Sequence, residues 1–328
     1  MTEFVGDIFK NKHTISGRMS ENRINLVNMN SSDAQDTTGY YLWIDSRKFC
    51  QNQWKSVLNW IGEDEITIYL WIPVFLTSVP YWICNLPLLV MDMTGKPSFL
   101  YQYKIQEGQH KISWSQLKII FPVVLLNQLI TIIPLYGFYL ICLWKGSISY
   151  QPGLPTLFCA IMEFSSFVAV EEILFYYVHR FLHVPEVYKR IHKMHHQWKA
   201  PCSMSTFYCH PVEHIISTVI PGLIGPIIFG SHILVAYLWF MISVLNAVNA
   251  HSGYHLPVFQ SSEAHDYHHL KFNEMFGVLG ILDRLHNTDT KFRLSIQCKR
   301  NQTFFSFTPI RKLIPDFDCK KPKTEKQE

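Results

Sequence analysis

Three stretches of the sequence contain no Asp, Glu, Lys or Arg: residues 66–91, 119–144 and 215–250. A helix of about 20 apolar residues is long enough to cross the roughly 30 Å hydrocarbon core of a bilayer. Each stretch meets that requirement, which argues against a wholly soluble enzyme. Only 16% of the residues are charged, against roughly 25% in soluble globular proteins. The sequence therefore predicts an integral membrane protein built from helices.

The first and the last of these stretches each allow more than one path through the membrane. Pro73, Pro80 and Pro87 interrupt residues 66–91. Such a segment forms either a kinked span or a hairpin that enters and leaves by the same face. We favour the span. The stretch 215–250 is longer than one crossing and carries Pro and Gly in its first half, so we predict a tight helical hairpin there.

A further apolar helix is predicted over residues 156–178, and it contains Glu163, Glu171 and Glu172. Carboxylates inside a membrane segment are costly and usually face a protein interior or a polar site. The basic residues that follow this helix indicate its orientation, because cytoplasmic flanks are enriched in Lys and Arg. The helix and its hairpin neighbour then bring residues 179–214 and 251–328 to one cytoplasmic face. The basic residues in question are Arg180, Lys189, Arg190, Lys193 and Lys199.

Thirteen of the sixteen histidines lie between His179 and His269. Ten of them form four clusters with spacings of three and four residues, and such residues share one face of a helix. Each cluster can therefore present two or three imidazoles to one point, and ten histidines suit two metal ions. The clusters are His179 with His183; His192 with His195 and His196; His251 with His255; and His265 with His268 and His269.

The ligand type narrows the choice of metal. All-imidazole sites suit Fe, Zn, Cu or Ni, and the absence of clustered carboxylates argues against Ca or Mg. The lone histidines are interpreted as interfacial or hydrogen-bonded residues. For His210 and His214 two interpretations remain open: they either contact the metal ligands from outside or lie on the protein surface. The lone histidines are His13, His110, His232 and His286.

Composition excludes several other classes. A net charge of +4 is too weak to argue for nucleic-acid binding. The eight cysteines include no C-x-x-C pair, so neither a disulfide scaffold nor a zinc-thiolate site is indicated. We predict an all-α integral membrane helical bundle of about four to five apolar segments, with a cytoplasmic helical cap that holds a histidine-rich di-metal site. Its divisions are a loosely ordered polar extension (1–65), a catalytic domain (66–309) and a polar tail (310–328).

The order of the four clusters resembles the membrane fatty acid hydroxylase and sterol desaturase superfamily. The stretches FYYVHR (175–180), HPVE (210–213) and HSGYH (251–255) are similar to its C-4 methylsterol oxidase branch, and HDYHHLKFN (265–273) strengthens the resemblance to the family. The resemblance covers residues 101–309. It implies a non-haem di-iron site, dioxygen as co-substrate, lipid oxidation in the endoplasmic reticulum, and a cytochrome b5 with its NAD(P)H reductase as electron donors. The chain itself carries no G-x-G-x-x-G nucleotide motif.

Carried over to this sequence, the resemblance implies that the ten clustered histidines are the metal ligands. Position 255 holds His255 where some sterol oxidases of the branch have an acidic residue. Asp266 is expected to orient an imidazole N–H, as the partners of metal-bound histidines do, and one of Glu171 and Glu172 is expected to face the cluster. Three functions stay open: C-4 methylsterol oxidation, hydroxylation of a fatty acyl or sphingolipid chain, and a catalytically silent sterol-binding or regulatory membrane protein.

Overall fold

The computed structural model describes residues 47–106 and 111–316, and within them all regular structure is helical. The prediction of an all-α fold is confirmed. The chain divides into two units. The first comprises residues 1–60 with Pro152–Leu154, and the second comprises Ile61–Gln151 with Pro155–Glu328. Most of the predicted loose extension lies outside the described residues, but its described part forms a helix, α1, over residues 47–61.

Helices α2 to α13 follow along the chain, some joined by short 3-10 turns. Thr67–Trp71 is a π-helical turn that leads directly into Ile72–Thr94, and α8 likewise contains a π-helical turn over His214–Val219. The bounds are α2 (Thr67–Thr94), α3 (Ser98–Tyr101), α4 (Trp114–Ile130), α5 (Ile132–Lys145), α6 (Leu157–Leu182), α7 (Pro185–Arg190), α8 (Pro211–Phe229), α9 (Ile233–His251), α10 (Glu263–Lys271), α11 (Ile281–His286), α12 (Ile296–Arg300) and α13 (Ile310–Leu313).

Four helical segments are long and apolar enough to cross a membrane: α2, α4 with α5, α8 and α9. Their outward side chains include large hydrophobic residues that nothing in the described chain covers. Phe75, Ile83, Leu129 and Ile133 are each at least 60% exposed. Contiguous exposed apolar surface of this kind marks a membrane-facing side. The chain is therefore a multi-pass membrane protein.

The structure shows which conformation each of the two ambiguous apolar stretches adopts. Residues 66–91 lie in one continuous helix that contains Pro80 and Pro87, as the favoured span requires, and no hairpin turn interrupts it. Residues 215–250 form the predicted hairpin, with α8 and α9 joined at Gly230. Gly230 has φ +60°, and a Cβ there would lie 2.9 Å from the carbonyl oxygen of Ser147. Only glycine fits this turn without strain.

Helix α6 differs from the expectation of a further membrane-crossing helix. It is 26 residues long, but it is not among the four membrane-capable segments. The reason is its carboxylates, of which Glu172 is buried in protein contacts. Helix α6 packs closely on α8, where a Cβ on Gly225 would come within 3.0 Å of Phe167.

The histidine-bearing segments form a cap, defined as residues 183–210 and 252–316, that packs against the membrane helices. Asn127 in α4 donates to the carbonyls of Phe207 and Cys209, both at 2.9 Å. Tyr81 in α2 stacks on Phe207 with ring centroids 4.5 Å apart. These contacts fix the 3-10 turn Ser203–Phe207 against the membrane helices.

The predicted start of the C-terminal tail falls inside this packed cap. Ile310 is buried in one cluster with Met91, Tyr103 and Tyr254. Arg311 donates to the carbonyl of Ile105 at 2.9 Å. The folded unit thus extends past residue 309, because apolar packing holds α13 in place. Residues 317–328 of the predicted tail lie outside the described residues.

Candidate metal centre

Nine of the ten clustered histidines converge into two groups. In each group the candidate ligand nitrogens all lie within 4.8 Å of one another. Every one of the nine is buried except His183 and His265, which are partly buried. The five-histidine group contains His179, His183, His192, His196 and His268; the four-histidine group contains His195, His251, His265 and His269.

Backbone carbonyls fix the orientation of five of these rings. A carbonyl oxygen can only accept a hydrogen bond, so each Nδ1 facing one must carry the proton. The other nitrogen, Nε2, then offers a lone pair. The Nδ1 donors and their acceptors are His179 to Phe276 (2.8 Å), His268 to Glu274 (2.8 Å), His195 to Tyr208 (3.4 Å), His251 to Ala247 (2.9 Å) and His269 to Trp198 (3.0 Å).

The Nε2 atoms face one another at short range. Those of His251 and His195 are 3.1 Å apart, and both rings donate through Nδ1, so two lone pairs meet without a proton between them. Nε2 of His268 and His196 are also 3.1 Å apart. Two nitrogens bound at right angles to one ion, each at about 2.1 Å, are roughly 3.0 Å apart. The donor set therefore fits a bound metal cation.

The electrostatics of the groups favour the metal-binding form of imidazole. Burial, reinforced by the neighbouring imidazoles, lowers the pKa of five of these histidines well below the usual 6.5. They are consequently neutral near pH 7, which is the state that binds metal. The five are His192, His195, His265, His268 and His269.

Two of the orienting carbonyls come from one segment, residues 273–280, which we call the carbonyl loop. Glu172 in α6 accepts backbone N–H groups of Val278 and Leu279 at 2.8 Å, and also those of Ile281 and Leu282 at 3.1 and 3.2 Å. One buried carboxylate thus fixes this loop and the start of α11.

Two further carboxylates complete the anchoring. Asp283 accepts the N–H groups of Phe276 (2.8 Å) and Gly277 (2.7 Å). Glu274 accepts the N–H groups of Lys291 (2.9 Å) and Phe292 (2.7 Å). Because Phe276 and Glu274 supply carbonyls to His179 and His268, these carboxylates position the metal-binding rings indirectly.

A cavity of about 370 Å³ adjoins the four-histidine group. His251 and His265 line it, and no member of the five-histidine group does. Its walls include Thr131 and Phe240 of the membrane helices, and Glu171 of α6. The volume lies in the range of small-molecule pockets, roughly 300–1,000 Å³. The cavity joins the membrane helices to one of the two histidine groups.

Comparison with known proteins agrees with this geometry. The family model for fatty acid hydroxylase matches residues 164–288. Fatty acid hydroxylase domain-containing protein 2 of Macaca fascicularis is 39% identical over 276 residues, which cover 84% of this chain and 83% of that protein. This chain belongs to the fatty acid hydroxylase family. The family assignment predicted from the histidine clusters and their flanking motifs is confirmed.

Two further relatives are less similar in sequence to this chain. A fatty acid hydroxylase of Mycosarcoma maydis is 32% identical over 275 residues, covering 80% of this chain and 70% of the relative. Methylsterol monooxygenase 2-2 of Arabidopsis thaliana is 28% identical over 233 residues, covering 67% and 85%. No solved structure matches the chain at a significant level.

His255 is the one clustered histidine that the structure does not bring to either group. Its Nδ1 lies 3.4 Å from Oε1 of Glu263 and its Nε2 lies 3.0 Å from the carbonyl of Gln302. The helix α9 ends at His251, and the chain turns through Gly253 at φ +70°. The four-residue spacing is therefore not helical here, and His255 points away from His251. The expectation that all ten histidines converge is corrected to nine.

The three carboxylates predicted to orient or face the histidine clusters take separate positions in the structure. Asp266 accepts a hydrogen bond from Gln106 at 2.8 Å rather than from an imidazole, and burial raises its pKa to about 7. Glu172 holds the carbonyl loop, as described above. Glu171 lines the cavity that reaches His251. None of the three has an imidazole hydrogen bond among the described residues.

Among the described residues, the carboxylate that contacts a member of the two histidine groups is Glu213, whose Oε1 lies 2.8 Å from Nδ1 of His192. Glu213 belongs to the HPVE stretch, but its role was not predicted from the sequence. His214, one residue on, contacts Thr131 Oγ1 at 2.7 Å and lines the cavity, so it is not a surface residue. His210 caps the start of α8 by accepting from Val212 N–H at 3.2 Å.

Two of the lone histidines agree with their interpretation as hydrogen-bonded residues. Nε2 of His232 contacts the carbonyl of Gln151 at 2.9 Å. Nε2 of His286 contacts the hydroxyl of Tyr177 at 3.0 Å. His13 and His110 lie outside the described residues.

Proposed function

We propose that this chain is an oxygen-dependent, non-haem di-iron lipid oxidase of the endoplasmic reticulum membrane, and that it oxidises a C-4 methyl group of a sterol. The observation that carries the proposal is the pair of all-imidazole groups, one of which adjoins a cavity walled by membrane helices. The methylsterol monooxygenase among the relatives supports the choice of sterol.

Nine histidines would hold the two iron ions, five in one group and four in the other. Imidazole ligation suits iron, with zinc and copper as chemical alternatives. Bound iron would supply the redox chemistry by which dioxygen is activated and a lipid C–H bond is oxidised. The carbonyl loop contributes orientation, because it keeps Nδ1 of His179 and His268 protonated and turns Nε2 inward.

The cavity supplies binding and exclusion of water. Apolar side chains such as Leu135, Leu223 and Val244 line it together with His251 and His265. A lipid from the bilayer would fill this space and place its reacting carbon beside the four-histidine group. Burial of the imidazoles keeps bulk water from the same position.

Each turnover needs two external electrons, so we propose cytochrome b5 with its NAD(P)H-dependent reductase as donors. The basic residues in the last turn of α6 and after it favour a cytoplasmic position for the histidine-bearing cap. They would also suit docking of an acidic electron carrier, an interaction that weakens with salt. The residues are Arg180, Lys189, Arg190, Lys193 and Lys199.

The test is an assay of purified, iron-loaded protein with cytochrome b5, its reductase and NAD(P)H. A 4-methylsterol, a fatty acyl lipid and a ceramide are offered in parallel. We expect oxygen-dependent oxidation of the 4-methylsterol, and accumulation of 4-methylsterols in cells that lack the protein. Unchanged 4-methylsterols together with depleted hydroxy-acyl lipids would overturn the sterol assignment.

A second candidate is hydroxylation of a fatty acyl or sphingolipid chain, which the Mycosarcoma maydis relative favours by its name. The same assay decides between the two. A silent sterol-binding or regulatory protein is the remaining alternative. Iron content near zero after reconstitution, with the helical fold intact, would favour that alternative over both enzymes.

A further inference from the structure

Two neighbouring glutamates on α6 differ in their hydrogen-bond partners. The carboxylate of Glu172 accepts four backbone N–H groups and is fully used by the carbonyl loop and the start of α11. Glu171 has no hydrogen-bond partner among residues 47–106 and 111–316, and it lines the cavity. Glu172 is therefore explained by the fold, whereas Glu171 is not.

The position of Glu171 leads toward the metal centre. Phe175, one helical turn further, lines the same cavity. The centroid of its ring lies 5.0 Å from the centroid of the His179 ring. Residues four apart share one face of a helix, so Glu171, Phe175 and His179 form a row. At 1.5 Å per residue, Glu171 precedes His179 by about 12 Å along the axis. His251 and His265 line the cavity as well.

A carboxylate in a largely apolar cavity is costly unless it gains a hydrogen bond. No described residue donates to Glu171, so a molecule that fills the cavity can supply the donor. A lipid hydroxyl fits this requirement, because O–H to carboxylate hydrogen bonds are short and strong.

We propose that Glu171 accepts a hydrogen bond from a hydroxyl group of the lipid substrate and thereby selects hydroxylated lipids. The hydroxyl belongs either to a sterol or to the base of a sphingolipid. The inference rests on the proposed lipid-oxidase function and names the substrate feature that its cavity recognises. Glu171 is a binding residue in this account, and the histidine groups need not change when it is replaced.

The experiment measures binding as well as turnover. A 4-methylsterol and its 3-O-methyl ether, and a ceramide and its O-methyl ether, are titrated into purified metal-loaded protein in detergent. Wild-type protein is expected to bind one hydroxylated lipid roughly tenfold or more tightly than its ether, as for a hydrogen bond to a charged group. Glu171→Leu is expected to bind both members of that pair equally. Glu171→Gln, which keeps a carbonyl acceptor and the side-chain shape, is expected to retain part of the preference.

Glu186→Gln is the matched control, because Glu186 is an exposed glutamate on α7 whose ion-pair partner among the described residues is Lys189. It should bind all four lipids as wild type does. Iron content and thermal unfolding verify that each variant is folded. Equal weakening of both members of a pair in Glu171→Gln, or no preference for a hydroxyl in wild type, would overturn the inference.

The binding readout separates this inference from the proposed function. A hydroxyl preference that depends on Glu171 without any sterol oxidation would support the inference and count against the proposed reaction. A preference confined to the ceramide pair would support Glu171 as the hydroxyl acceptor and assign the substrate to sphingolipids.

Discussion

The two histidine groups are built from the same residue type but differ in access. The five-histidine group is enclosed by protein, and none of its members lines the cavity. The four-histidine group has one ligand fewer, and two of its members, His251 and His265, form part of the cavity wall. Catalytic metal sites keep one coordination position open to substrate, whereas structural sites are closed. Under the proposed function, lipid would therefore approach the four-histidine group.

The largest effects are expected from removing one ligand of each group. Alanine at His268 or at His265 should abolish lipid oxidation, a loss of at least about 100-fold. Loss of a mere hydrogen-bond partner of a metal-bound histidine already lowers metal affinity or activity 10–100-fold. The two variants should differ in binding, because only His265 lines the cavity. His265→Ala alone should therefore alter lipid affinity. Activity, iron content and lipid titration are the measurements.

His232→Ala is the control for both variants. His232 contacts the carbonyl of Gln151 and lies in neither group, so its removal should leave iron content and oxidation unchanged. Equal losses in all three variants would show general sensitivity of the fold instead of metal ligation.

Replacing Glu213 should weaken the five-histidine group selectively. Its carboxylate lies 2.8 Å from Nδ1 of His192, and partners of metal-bound histidines typically contribute 10–100-fold in affinity or activity. Glu213→Gln should lower iron affinity about tenfold, measured by competition with a chelator. Unchanged iron affinity, with the protein folded, would rule out a role for this contact in metal binding.

A smaller effect is expected at the carbonyl loop. A Cβ on Gly277 would lie 2.8 Å from Oε1 of Glu172 and 2.9 Å from Oδ2 of Asp283. Gly277→Ala should therefore destabilise the protein by about 1–3 kcal/mol, the usual range for overpacking. It should also loosen His179, whose Nδ1 donates to the adjacent Phe276 carbonyl. Thermal unfolding and iron content measure the two effects.

Gly137→Ala offers a matched control, because nothing lies within 4 Å of a Cβ at that position. Alanine is favoured over glycine inside a helix, so this variant should be as stable as wild type or slightly more stable. A Gly277→Ala protein that unfolds like the Gly137→Ala protein would contradict the proposed anchoring.

The smallest effect on metal binding is expected at His255. It pairs with Glu263 and Gln302 instead of joining either group. His255→Ala should keep wild-type iron content while losing about 1–3 kcal/mol of stability, since Glu263 would remain buried without this partner. Loss of iron from a folded His255→Ala protein would restore His255 to the ligand set.

Much of the architecture follows directly from local sequence. Uncharged stretches predicted the membrane helices, and the length of 215–250 with the Pro and Gly residues in its first half predicted the hairpin of α8 and α9. Both signals are local, because helix length and turn conformation depend on neighbouring residues. The carboxylates of α6 were harder to interpret. Glu172 is bound by a loop more than 100 residues away, and no local pattern reveals such a partner.

Sequence alone determined that this protein is a helical membrane protein with clustered histidines able to bind metal. It did not determine how those histidines divide. His195 and His196 are adjacent, yet they belong to different groups, and His268 is separated in the same way from His265 and His269. Spacing predicts which side chains share a face of one helix, but a metal centre is assembled from several segments. Their packing, the carbonyls that orient each ring and the turn that carries His255 away are properties of the tertiary structure.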